Sequence, residues 1–268
     1  MTSLMNVRLW LASVALLGLG GCARFAVRPP TPAAQMDATG MWERRPDEQF
    51  YLIVFGSQTT LRRARWTHSW ATLVRVRQLP CEQFTIDPIT ISWLPATLDI
   101  HPLSLHVERG VNVGLPETIE YALARGEKVS QWGPYECRPR LYYRSVVQKD
   151  YLEGGEIGYQ CIDDIGEAAR NGSGCDCIHA MTDQDPLFAR NRYPLRRFGN
   201  TASQFVVKEM WRRGLLIEPE QTHDWLNTAL GLDHYPIHHR HYQGRVNERL
   251  ERETRESSTQ GTGPSTNQ

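Results

Sequence analysis

No excess of charge of either sign is present in these 268 residues: 30 Lys and Arg are balanced by 30 Asp and Glu, and the pI is near 7.1. That balance argues against a nucleic-acid-binding surface, because phosphate binding needs a dense surplus of basic side chains. No internal repeat is visible, so a solenoid or propeller is not indicated. No apolar run approaches the roughly 20 residues that span a bilayer comfortably. Cysteine is scarce, at six residues, too few for a disulfide-dense scaffold in a chain of this length. What the chain does have is 40% hydrophobic residues, eight Trp and ten Tyr, the makings of a packed globular body.

The first 22 residues read as a targeting segment. Arg8 supplies positive charge, Leu9 to Leu19 is largely apolar, and Leu19-Gly20-Gly21-Cys22 follows. Small residues before a cysteine at the end of a short apolar run resemble a bacterial lipobox. The resemblance implies cleavage before Cys22, diacylation of its thiol and a body tethered to a membrane in the cell envelope, facing the periplasm or exterior. Multiple acyl chains hold far better than one. Residues 23–48, rich in Pro, Ala and Thr, read as a flexible tether. Residues 49–243 carry the expected globular domain. Residues 244–268 are charged and then Ser/Thr/Gly-rich, and read as a frayed helix running into a disordered tail.

Within the body, Phe50 to Phe55 reads as a buried strand. From Trp66 to Arg77 the pattern has period two. Trp66, His68, Trp70, Thr72, Val74 and Val76 share one face, so His68 points the same way as two tryptophans. Gln83 to Trp93 resumes as a strand in which Pro88 marks an edge or a bulge. A hairpin centred near Pro80 sets His68 opposite Ser92, both twelve positions away. Asp99 and His101, in the strand-like piece Thr97 to Val107, compete with Ser92 for the role of orienting His68. Trp132-Gly133-Pro134-Tyr135 reads as a turn, and Gly158 to Ile162 as a further strand. Helices are expected over Pro116–Arg125, Pro139–Leu152, Thr201–Arg213 and Glu220–Leu230. Strands gather before Val107 and helices dominate after Gly114. The fold class is therefore α+β, an antiparallel sheet packed against helices.

The stretch from Asn171 to Pro186 carries the chemistry. Gly172 and Gly174 fit a tight turn leading into Cys177-Ile178-His179-Ala180-Met181, which can open a helix. Unpaired N–H groups and the helix dipole favour a thiolate there, whereas the neighbouring Asp176 carboxylate raises the thiol pKa. Cys177 is thus the candidate nucleophile, His68 its candidate base and Ser92 the candidate third member. A buried thiol beside a structural histidine is the competing reading. Once Cys22 is lipidated, five cysteines remain, Cys81, Cys137, Cys161, Cys175 and Cys177. Disulfides can therefore pair at most four of them. A zinc site from Cys175, Cys177 and His179 with a histidine of the Pro236–His241 run is a weaker alternative, because the spacing is unlike common zinc motifs. No cofactor or metal is expected.

His68 within Thr67-His68-Ser69-Trp70-Ala71, followed much later by Cys177 within Cys177-Ile178-His179-Ala180, resembles the circularly permuted papain-like group. That group includes NlpC-type and lecithin retinol acyltransferase-like proteins, in which His precedes Cys. The same pair, with the Trp132–Tyr135 segment, also resembles a bacterial lipoprotein family. Many relatives have Asn immediately before the Cys, where this chain has Asp176. The resemblance implies a permuted papain-like fold and a membrane-tethered cysteine hydrolase or acyltransferase. It would act on an amide or ester of a peptide, cell-wall peptide or lipid. A non-catalytic envelope lipoprotein using the same shape for binding or scaffolding is the alternative.

Overall fold

The structure, a computed structural model, describes residues 30–36, 45–61, 63–80, 83–185 and 197–242. The expected lipobox with Cys22, Cys81 and the tail beyond residue 242 lie outside the described residues. Among the described residues, no helix is long and apolar enough to cross a membrane.

A five-stranded, mostly antiparallel sheet forms the centre, in the order β3-β2-β1-β6-β9. Its strands are β1 (Glu48–Gln58), β2 (Thr67–Gln78), β3 (Phe84–Ile91), β6 (Lys128–Glu136) and β9 (Ile237–Arg240). Two small ladders flank it: β4 (Trp93–Pro95) with β5 (Gly110–Asn112), and β7 (Gly158–Tyr159) with β8 (Gly174–Cys175). The helices are α1 (Pro32–Gln35), α2 (Leu115–Ala124), α3 (Pro139–Glu153), α4 (Gly166–Asn171), α5 (Cys177–Thr182), α6 (Asn200–Arg212) and α7 (Trp225–Ala229). The α+β class read from the sequence is the class observed.

Both faces of the sheet are covered, which explains why β1 reads as an unbroken apolar run. Tyr51, Ile53, Phe55, Trp70 and Val74 pack on one face against Ile119 and Ala122 of α2 and Leu226 of α7. Leu52, Val54, Ala71 and Leu73 pack on the other against Leu141 of α3, Ala180 and Met181 of α5, and Val206 and Met210 of α6. Each buried aliphatic or aromatic side chain contributes roughly 1.5–3 kcal/mol.

Several expectations need correction. The β2–β3 hairpin pairs Ala71 with Ile91 and Gln78 with Phe84, so it is centred on position 81 rather than 80. Pro88 takes the edge position, one of the two expected for it: it pairs with Val74 on the outermost strand, with no register shift there. Trp132 to Tyr135 is not a free turn but part of β6. Its extra residue is absorbed as a bulge against Leu52 and Val54, with Gly133 at φ 89°. Burial of Trp132 and Tyr135 holds that segment in the sheet. Thr97 to Val107 is a series of turns rather than a strand: Pro102 removes a donor, and Leu103 is 86% exposed. The expected strand Gly158–Ile162 shrinks to β7, and the helix expected over Glu220–Leu230 shrinks to α7. Pro236–His241 supplies β9, parallel to β6, with Ile237 beside Val129.

Part of the stretch expected to be a tether is docked. Ala33 of α1 is fully buried, Thr31 Oγ1 donates to the Asp183 carbonyl at 2.9 Å, and Arg144 donates to the Met36 carbonyl at 3.2 Å.

Candidate functional site

A pocket opens at the start of β2, beyond Ala71–Ile91, where the β3 ladder has stopped. Its lining includes Thr67, His68 and Ser69 of β2 on one side and Asp176, Cys177 and Ile178 on the other. Two of the three residues expected to carry catalysis, Cys177 and His68, therefore border the same cavity.

His68 stacks on Trp70 (ring centroids 5.4 Å, 16°), and Trp70 stacks on Phe55 (5.2 Å, 9°). This is the period-two face read from the sequence. His68 Nε2 lies 2.9 Å from Ser92 Oγ, and Thr118 Oγ1 of α2 donates to the same oxygen at 2.9 Å. The Ser92 backbone N–H donates to Asn112 Oδ1 at 2.8 Å. Ser92 is thus fixed by β5 and α2. It meets His68 although the ladder does not extend that far, because both side chains lean into the α2 face. His68 Nδ1 has no hydrogen-bond partner among the described residues. Burial, helped by the positive charge of Arg125, lowers the His68 pKa from 6.5 to about 3, so the imidazole is neutral at physiological pH.

Cys177 begins α5, as the sequence suggested, and α5 packs on the opposite sheet face from His68. The two residues approach the strand end from either side. The glycine-rich entry is not one tight turn: Gly172 closes α4 at φ 72°, and Gly174 belongs to β8. The Cys177 thiol accepts a hydrogen bond from the Ser69 backbone, one residue from His68. Burial first and the Asp176 charge second push its pKa well above the ordinary thiol value, and the Ser69 contact opposes them only in part. Burial first, and the carboxylate at the N-cap second, override the lowering expected at a helix start.

Asp176 explains why that carboxylate is there. Its Oδ1 accepts the His179 backbone N–H at 2.7 Å, capping α5, and its own N–H donates to Asp163 Oδ2 at 3.2 Å. His179 Nδ1 lies 3.0 Å from Asp163 and 3.2 Å from Asp176, all buried. Burial alone depresses the His179 pKa, but Asp163, Asp176 and Asp183 together hold it well above 6.5. An imidazolium between two carboxylates thus locks the turn that carries Cys177. Asp163 escaped the sequence reading because it reaches α5 from a loop 13 residues before Asp176.

The other candidates fall elsewhere. Asp99 pairs with Arg65 at 2.9 Å and His101 at 3.3 Å on the surface, not with His68. Among the described residues, the potential metal ligands that converge are Asp163, Asp176 and His179, not Cys175, Cys177 and His179 with a histidine of β9. Cys137, Cys161, Cys175 and Cys177 form no disulfide among the described residues. Cys161 borders the pocket, and burial raises its pKa to about 12, with Asp176 adding to the rise.

No protein-family model, curated protein or solved structure matches this chain.

Proposed function

We propose that the protein is a cysteine hydrolase or acyltransferase acting on an amide or ester, with Cys177 as nucleophile, His68 as general base and Ser92 orienting the imidazole. The observation that carries this reading is the shared pocket, in which Cys177 and His68 face one cavity while Ser92 holds the far side of the ring. Both partners rest uncharged, because the thiol pKa is raised and the imidazole pKa is lowered. The proton therefore passes from Cys177 to His68 as the sulfur attacks the carbonyl, rather than beforehand. The overall shape is read as permuted papain-like on the same His-then-Cys order. The lipobox adds attachment to an envelope membrane through Cys22, with a peptide, cell-wall peptide or lipid as substrate.

A second reading is a non-catalytic envelope lipoprotein that uses the pocket for binding. It is favoured by the raised Cys177 pKa and by the packing of α5 on the sheet face opposite His68. Labelling of the full chain with an acyl-type thiol probe separates the two. The enzyme reading expects one adduct, lost in Cys177→Ala; equal labelling of wild type and variant rejects it.

A further inference from the structure

The rest of the pocket lining differs in chemistry from Cys177 and His68. Ala64, Ile178, Phe198, Ala202 and Phe205 give it an apolar surface. One cation joins them: Arg197, whose guanidinium lies 4.5 Å above the Phe205 ring. That contact rests the exposed side chain against the pocket edge, and its N–H fork makes no hydrogen bond among the described residues. Arg197 makes no ion pair among the described residues, and the sequence 186–196 before it contains no Asp or Glu. The lining acid, Asp176, is already engaged by the His179 backbone and ring. Among the described residues, the pocket therefore offers a positive group and a hydrocarbon surface, and no spare carboxylate to receive an amine.

We propose that the substrate is an anionic amphiphile: an amide or ester with an apolar body against Phe198, Phe205 and Ile178 and a carboxylate on Arg197. A guanidinium fork matches a carboxylate bidentately, and the Phe205 ring beneath the exposed Arg197 side chain sets it beside the apolar lining. A substrate with a free cationic amine finds only repulsion at Arg197. This rests on the Cys177 reading for the reaction, but the binding preference does not require the thiol.

Three eight-carbon probes, octanoate, octanol and octylamine, share one chain and differ in head-group charge. Calorimetric titration of the full chain is expected to give octanoate at least tenfold tighter binding than either of the others. Arg197→Gln should reduce that preference to less than threefold while leaving octanol affinity unchanged. Equal affinity for octanoate and octanol, tighter binding of octylamine, or an unchanged preference in Arg197→Gln overturns the proposal. The same titrations in Cys177→Ala keep the two claims apart. In the wild-type chain, anion preference without acyl labelling removes only the nucleophile, whereas acyl labelling without anion preference removes only the substrate class.

Discussion

His68 Nε2 and Ser92 Oγ lie 2.9 Å apart in a fully buried contact, with Thr118 donating to the same hydroxyl. Removing the hydroxyl leaves a buried ring nitrogen and a threonine without that partner, a loss of about 1–3 kcal/mol. Ser92→Ala should lower the urea unfolding free energy by that amount and slow acylation of Cys177 about tenfold. Unchanged stability with unchanged acylation would remove Ser92 from the site.

The protonation state of the pair sets its pH dependence. A preformed thiolate–imidazolium pair reacts with alkylating agents at a rate that levels off above mildly acidic pH. Here the thiol pKa is raised and the His68 pKa is about 3, so little thiolate is present at neutral pH. Alkylation of Cys177 by iodoacetamide, followed on its tryptic peptide, should climb continuously from pH 6 to pH 9. A plateau across that range would mean a stable ion pair.

The same linkage reaches stability. His68 has a folded pKa of about 3 against an ordinary 6.5, so its contribution is complete above pH 6.5 and is lost as pH falls towards 3. Between those values the unfolded chain binds the proton that the folded one refuses. Its ring resonances should show no titration between pH 8 and pH 4. Movement centred near pH 6.5 would show that the imidazole is solvated.

His179 has the opposite sign. Its folded pKa is raised, so its stabilisation is complete below pH 6.5 and is lost as pH rises through the folded value. His179→Gln leaves Asp163 and Asp176 buried without their cation, at a cost of about 3–5 kcal/mol at pH 7. Asp176 already has a raised pKa, from burial first and Asp163 second. Protonation at lower pH then relieves the variant. The urea midpoint of His179→Gln should rise from pH 7 to pH 5; an unchanged or falling midpoint would contradict this cluster's charge arrangement.

Gly133 tests the corrected account of β6. It sits at φ 89°, and a Cβ there would come 2.6 Å from the Leu52 carbonyl oxygen. Gly133→Ala should destabilise the protein by about 1–3 kcal/mol, because the left-handed backbone and the close approach both penalise it. A thermal midpoint within one degree of wild type would argue against the bulge.

Alternation made β2 legible, and with it the stacking of His68 on Trp70, because a period-two pattern survives whatever packs above it. The β3 register was less accessible: the pairing of Ala71–Gln78 with Phe84–Ile91 is displaced from the one expected about Pro80, and Ser92 is reached through its anchorage by Asn112 and Thr118 rather than through the ladder. Asp163 carried no local signal, since a buried pair formed across a loop leaves no periodicity. The histidines of β9 looked like solvent or metal donors because Ile237 is the single strongly apolar residue in Ile237–Arg240, and only the open edge of β6 makes that segment a strand. The thiol pKa at Cys177 could be read in both directions, and burial decided it.

The central claim is that Cys177 and His68 act on one another across the end of β2. Its most direct measurement is the rate at which a p-nitrophenyl acyl ester modifies Cys177, followed by intact mass, in wild type and His68→Ala at pH 7. A working pair requires acylation to fall by two orders of magnitude or more in the variant, in keeping with the weight of a general base. Equal rates in the two proteins would leave Cys177 an unactivated thiol and the pocket a binding site alone.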